Sequence, residues 1–248
     1  MGRAIVAMLL TVLGSCTAAV PRAISQASPL PAALRTGTPY EPYVDPARFV
    51  DTVDHPFLPL VPGTRWVYES TSGARREVDT VLVTSTTREI LGVSCIVVRD
   101  EISVDGELVE LTLDWYAQDA DGNVWYFGED SRTYRAGEVV GTAGSWEAGV
   151  DGAQPGIVMP AHPEIGVSYR QEYSPGQAED LAKVVELERT AQVPLGSYDG
   201  LLVTEEWTPL EPNLLERKFY APGVGLVMEE TVKGGADLLV LVRFEPGD

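Results

Sequence analysis

The chain has 248 residues, with 18 Lys or Arg against 37 Asp or Glu, giving a formal net charge of −19. A surface that negative repels nucleic acid and anionic lipid headgroups, so no nucleic-acid partner is expected; it suits solubility, cations or a basic partner. Hydrophobic residues make up 44%, enough for a packed core, and two cysteines are too few for a disulfide framework.

The first residues, MGRAIVAMLLTVLGSC, carry one charge, Arg3, followed by an uncharged apolar run from Ala4 to Leu13. That run is too short to span a bilayer, which takes roughly 20 apolar residues. A basic start before a short apolar core is the layout of a secretory signal peptide, here residues 1–15. Leu13-Gly14-Ser15-Cys16 resembles the bacterial lipobox, which implies lipid attachment at Cys16 and a stable membrane tether, since each buried acyl CH₂ contributes roughly 0.8 kcal/mol. The competing reading is ordinary cleavage near Ala18 or Ala19, with Cys16 discarded. The expected location is exported and lipid-anchored in the cell envelope, with the membrane as partner through Cys16.

Lipidation of Cys16 leaves Cys95 alone, so neither an intrachain disulfide nor a cysteine metal cluster can form. Cys95 sits in the strand-like run Val93 to Val98 and reads as a buried, inert thiol.

Residues 16–45 are rich in Ala, Pro, Ser and Thr and read as the lipidated Cys plus a flexible tether. Residues 46–248 read as one β-rich domain. Asp45 caps a helical turn that begins with Pro46. From Thr64 the dominant period is two. Asp105-Gly106 is a two-residue hairpin signal, and Leu111 to Tyr116 and Val124 to Phe127 are aromatic and aliphatic strands. Leu214 to Tyr220, Leu226 to Glu230 and Leu238 to Phe244 repeat the style. Ala178 to Arg189 fits helix and strand almost equally.

An internal repeat decides that ambiguity. Leu91-Gly92 and Leu195-Gly196 are 104 residues apart, and so are Tyr116-Ala117 and Tyr220-Ala221 and, with apolar replacements, Val97-Val98 and Leu201-Leu202. Lys183 to Leu187 then matches the strand Asp79 to Val83, after a turn at Gly176 to Asp180. The expected fold is mainly β: a curved antiparallel sheet of roughly ten strands in two related halves, about 55–136 and 166–245, with few helices. Residues 137–165 read as a linker loop with six glycines, three prolines and Trp146. A loop this long inside a domain is often functional.

Asp114-Trp115-Tyr116-Ala117-Gln118-Asp119-Ala120-Asp121-Gly122-Asn123-Val124-Trp125-Tyr126-Phe127-Gly128-Glu129-Asp130 resembles a segment of a group of uncharacterised secreted bacterial lipoproteins. Gly144 to Gly149, Pro155 to Pro160 and Tyr220 to Gly225 share the resemblance, which covers most of residues 55–232 and implies no particular activity. An anchored, curved β-sheet is also similar in architecture to lipoprotein carriers of the LolA and LppX kind.

Catalytic signals are scarce. His55 and His162 each precede a proline, and neither lies at a recognisable spacing from a Ser, Cys or second His. The motifs G-x-S-x-G, H-E-x-x-H and S-x-x-K are absent, so no catalytic residue is assigned and an enzyme is not the favoured reading. Asp119, Asp121 and Asn123 alternate like the start of a calcium loop, but the glycine falls at position four and Asp130 stands where a Glu is needed. An ordinary hairpin turn is therefore preferred to a calcium site, and no other cofactor is implied.

The apolar residues of the linker, among them Trp146, Val150, Ile157, Val158 and Met159, must pack against something. Trp146, Glu147 and Met159 are the candidate ligand-binding residues, as one wall of a pocket over the concave sheet; the alternative is that Trp146 and Met159 simply close the core. The function expected from these features is a lipid-anchored binding or carrier protein for an apolar small molecule. The alternatives are a cation-linked envelope assembly or adhesion protein, and an envelope hydrolase.

Overall fold

A computed structural model of the chain describes residues 40–72 and 75–247. The signal segment, Cys16 and the tether up to residue 39 lie outside the described residues.

Ten strands of seven or more residues form the body: β4 (Arg65–Ser72), β5 (Arg75–Ile90), β6 (Val93–Val104), β7 (Glu107–Asp119), β8 (Val124–Arg135), β14 (Leu181–Val193), β15 (Gly196–Trp207), β16 (Leu215–Ala221), β17 (Gly225–Lys233) and β18 (Leu238–Glu245). Eight shorter strands complete the set: β1 (Phe49–Val50), β2 (Asp54–His55), β3 (Leu58–Pro59), β9 (Glu138–Gly141), β10 (Trp146–Glu147), β11 (Gln154–Met159), β12 (Ser168–Arg170) and β13 (Glu172–Tyr173). Sixteen strands belong to one sheet and β2–β3 form a separate hairpin. The total exceeds the expected ten because the lead-in, the linker and the segment 168–173 add short strands. Among the described residues the helical content is one 3-10 turn, Pro46–Arg48, capped by Asp45, whose carboxylate accepts from Ala47 N at 3.1 Å.

Local chemistry explains where the strands turn. At Asp105-Gly106 both residues have positive φ, 54° and 87°, the conformation that matches a hairpin turn to the twist of its strands. The ambiguous segment after Ala178 is strand β14, paired along its length with β15.

Each half is an antiparallel meander. One runs β4-β5-β6-β7-β8, and the other β12-β14-β15-β16-β17, with β18 joining β17 to β4. Residues 137–165, expected as a loop, contain β9, β10 and β11, all paired with β8. Spacing alone missed them because each is shorter than a full alternating pattern.

One segment joins the two ends of the sheet. Ser168–Arg170 pairs with β14 at one end, and Glu172–Tyr173 pairs with β11 at the other. Between them, Gln171 crosses directly over Gly156: a Cβ at Gly156 would lie 2.3 Å from the backbone carbonyl carbon and oxygen of Gln171. The sheet is thereby curled into a nearly closed barrel, with one strand face turned inward.

A side chain at Gly156 must push the closing segment away, and overpacking of this kind costs about 1–3 kcal/mol. Gly156→Ala is expected to lower the urea midpoint of unfolding by a corresponding amount. Gly196→Ala is the control, since nothing lies within 4 Å of that added Cβ; its midpoint should stay at or slightly above wild type.

Candidate functional site: the carboxyl-lined interior

Register identifies the inward face. Trp66, Tyr68 and Ser70 of β4 stand opposite Val81, Asp79 and Glu77 of β5. Following the same face through β6, β7 and β8 gives Asp100 beside Val81, Thr112 beside Asp100, and Asp114 beside Glu129. In the other direction Ser70 lies beside Leu239, Leu239 beside Glu229, Glu229 beside Lys218, and Lys218 beside Thr204. Polar residues that a two-residue alternation would assign to solvent therefore face the interior. Glu77, Asp79, Asp100, Asp114, Glu129, Glu172, Glu206, Glu216 and Glu229 are all buried. Lys218 is the one buried Lys or Arg among the described residues.

The half-one wall centres on Asp114 and Glu129. Tyr126 OH lies between them, 2.8 Å from Asp114 Oδ1 and 2.7 Å from Glu129 Oε2. Tyr116 stacks on Tyr126 with ring centroids 4.9 Å apart. Trp146 meets Tyr126 edge-to-face at 5.4 Å and donates its indole N–H to Glu172 Oε2 at 3.2 Å. Five buried polar atoms here have no hydrogen-bond partner: Asp114 Oδ2, Glu129 Oε1, Tyr116 OH, Thr112 Oγ1 and Ser131 Oγ. Their residues are at most 1% exposed. Polar groups buried this deeply are normally hydrogen-bonded, and no protein group supplies the partners here.

The electrostatics follow from the crowding. Burial, then the charges of Glu129 and Asp100, raise the Asp114 carboxyl well above the usual carboxylate range, against the hydrogen bond from Tyr126. Burial pushes Glu129 up to about 8, again opposed by Tyr126. Burial and then Asp180 and Glu129 raise Glu172, and burial raises Asp180. The half-two wall is neutralised differently. Lys218 Nζ lies 2.6 Å from Glu206 Oε2, whose other oxygen accepts from Thr204 at 2.7 Å and Tyr220 at 3.3 Å. Burial works against the Lys218 ammonium, but Glu206, Glu229 and Glu216 outweigh it and hold its pKa above the ordinary Lys value.

The residues singled out in the sequence fall in different places. Trp146 and Met159 are both in the buried core, and Trp146 touches the Asp114–Glu129 wall through Tyr126. Glu147 takes another direction: it pairs with Arg88, whose guanidinium sits 4.2 Å over the Trp115 ring. Asp119, Asp121 and Asn123 are brought together as a hydrogen-bonded turn. The Asp119 carboxylate accepts from Asp121 N, Asn123 N, Asn123 Nδ2 and Trp125 Nε1 at 2.8–3.0 Å. Asp121 pairs with Arg48 at 2.7 Å, and Asn123 Oδ1 accepts from Ala161 N at 2.8 Å. These donors use the oxygens that an ion would need. Among the described residues no group of three or more His, Cys, Asp and Glu is arranged to hold a metal.

His55 is buried: its Nδ1 accepts from Phe57 N at 3.1 Å and Nε2 faces Pro160 O at 3.1 Å, which assigns the proton to Nε2. Cys95 is buried, and burial pushes its thiol up to about 12. The inward carboxyls were missed because period-two patterning does not say which face is inside.

No family model and no curated protein matches the chain. Solved structures similar to it include a "putative exported protein with YmcC-like fold" from Bacteroides fragilis NCTC 9343, 16% identical over 77% of this chain and 99% of that one, with a TM-score of 0.46. A "putative lipoprotein" from Parabacteroides distasonis ATCC 8503 is 13% identical over 76% of this chain and 98% of that one, with a TM-score of 0.40. Likeness at this level carries no residue role, ligand or activity to this chain.

The buried carboxyls make stability depend on pH in one direction. An unfolded Glu ionises near 4.5, whereas folded Glu129 holds its proton to about 8. Between those values the unfolded chain has lost a proton that the folded chain keeps, so stability falls by roughly 1.4 kcal/mol per pH unit for such a group. Asp114, Glu172 and Asp180 act in the same direction. His55, held neutral by burial, opposes them only as pH falls through its ordinary value of 6.5. Urea titrations are expected to show a lower midpoint at pH 8 than at pH 5.5; a flat or rising profile contradicts the assignment.

Proposed function

We propose that this chain is an exported, lipid-anchored protein of the bacterial cell envelope whose barrel interior binds a small cationic solute. The observation that carries the binding reading is the half-one wall. Asp114 and Glu129 share Tyr126 OH, and each presents a second, unpartnered oxygen to the interior. Fixed carboxyls in a dry interior repel one another unless they stay protonated or gain a counter-charge. A cation that enters supplies the counter-charge and the missing hydrogen bonds together. The export and anchor parts rest on the signal segment and on Leu13-Gly14-Ser15-Cys16.

An apolar cargo fits this lining less well, since it would leave the same oxygens both desolvated and unsatisfied. The strongly acidic composition keeps the assembly or adhesion reading as second choice, for which calcium is the natural ligand. A hydrolase finds no support in the geometry, because both His55 nitrogens are engaged with backbone groups and the Cys95 thiol stays protonated.

Two measurements check the proposal. Labelling of cells with a palmitate analogue should tag wild type and spare Cys16→Ala; an unlabelled wild type removes the anchor. Native mass spectrometry of gently purified protein should show a co-purified organic cation. A retained fatty acid would instead restore the apolar carrier, and stabilisation by calcium alone would favour the assembly reading.

A further inference from the structure

The two halves place different groups at one equivalent position. Asp114 and Lys218 are 104 residues apart, as are Tyr116 and Tyr220. Strand pairing gives the same equivalence. Asp114 lies opposite Glu129 on the next strand, and Lys218 lies opposite Glu229. Two residues before Asp114, Thr112 lies opposite Asp100; two residues before Lys218, Glu216 lies opposite Glu206. Each position is thus framed by an acidic residue on the preceding strand, a Glu on the following strand and a Tyr two residues on.

In half two that frame surrounds an ammonium. Lys218 Nζ reaches Glu206 Oε2 at 2.6 Å, and Tyr220 OH meets the other Glu206 oxygen at 3.3 Å. In half one the frame holds a further carboxyl and, among the described residues, no buried Lys or Arg. Its acceptors are nevertheless in place: Asp114 Oδ2, Glu129 Oε1 and Tyr116 OH are buried, on one face and unpartnered. An alkylammonium has three N–H donors and no acceptor, which matches the three oxygens in number, and in sense once its charge displaces the carboxyl protons. A quaternary ammonium has no donor to offer. A metal ion needs several converging ligands, and no such group is found among the described residues.

We infer that the Asp114–Glu129–Tyr116 nest is a subsite for the primary ammonium group of a ligand, doing in half one what the Lys218 side chain does in half two. This rests on the cation-binding reading given above and narrows it to one chemical class.

The test is calorimetric titration of the full chain with propylamine and with tetramethylammonium chloride. Propylammonium is expected to bind at least tenfold more tightly than tetramethylammonium. Equal binding of the two overturns the primary-ammonium subsite while leaving a general cation-binding interior standing; binding of neither overturns both. Two variants fix the location. Asp114→Lys supplies the ammonium covalently, as half two does, so it should melt at or above wild type and lose propylamine binding; retained binding overturns the assignment. Glu129→Gln keeps the shape of the site and should weaken propylamine at least tenfold whether or not Asp114→Lys folds; an unchanged affinity overturns it as well.

Discussion

Residues 168–173 hydrogen-bond to both ends of the sheet, through β14 on one side and β11 on the other, and this closure turns one strand face into an interior. An open sheet could leave its polar face in water at no cost. Once the ends are joined, every group on the inward face loses water and must find protein partners or a ligand. The tight crossing of Gln171 over Gly156 is the narrowest point of that closure. The arrangement of the barrel and the chemistry of its interior are therefore one problem.

The two walls meet that problem in different ways. In half two, Lys218 places a positive charge among Glu206, Glu216 and Glu229, and its ammonium is held by those neighbours, at 2.6 Å from Glu206. Among the described residues, half one has no buried Lys or Arg. Asp114 and Glu129 instead bind Tyr126 OH between them and keep their protons far above the usual range. Buried ion pairs seldom add much net stability, but an uncompensated buried carboxyl is costly. The half-one wall leaves buried oxygens that no protein group satisfies, and that asymmetry between equivalent positions makes it the functional candidate.

The linker and the acidic turn play supporting parts in this scheme. Trp146 comes from the linker, covers Tyr126 and donates to Glu172, so it braces the half-one wall against the closing segment. Asp119 gathers four donors at the β7–β8 turn, and Arg48 reaches Asp121 from the lead-in, which fixes the strands that carry Asp114 and Glu129. A carboxylate that accepts several N–H donors is a strong local organiser without any ion.

Period and turn chemistry determined much of the fold. Alternation placed the long strands, Asp105-Gly106 placed a hairpin, and the spacing of Leu-Gly and Tyr-Ala pairs resolved Ala178 to Arg189 as strand β14. Those signals are local, set by φ/ψ preference and by side chains two residues apart. Only the tertiary structure decided which face lies inside, because alternation distinguishes two faces without naming the buried one. Glu77 and Asp79, or Asp114 and Glu129, read as solvent-facing until closure puts them in the interior. The short strands β10 to β13 were equally hidden: two to six residues carry too little pattern of their own, and they exist because β8 and β14 offer edges for β10, β11 and β12, and β11 in turn for β13.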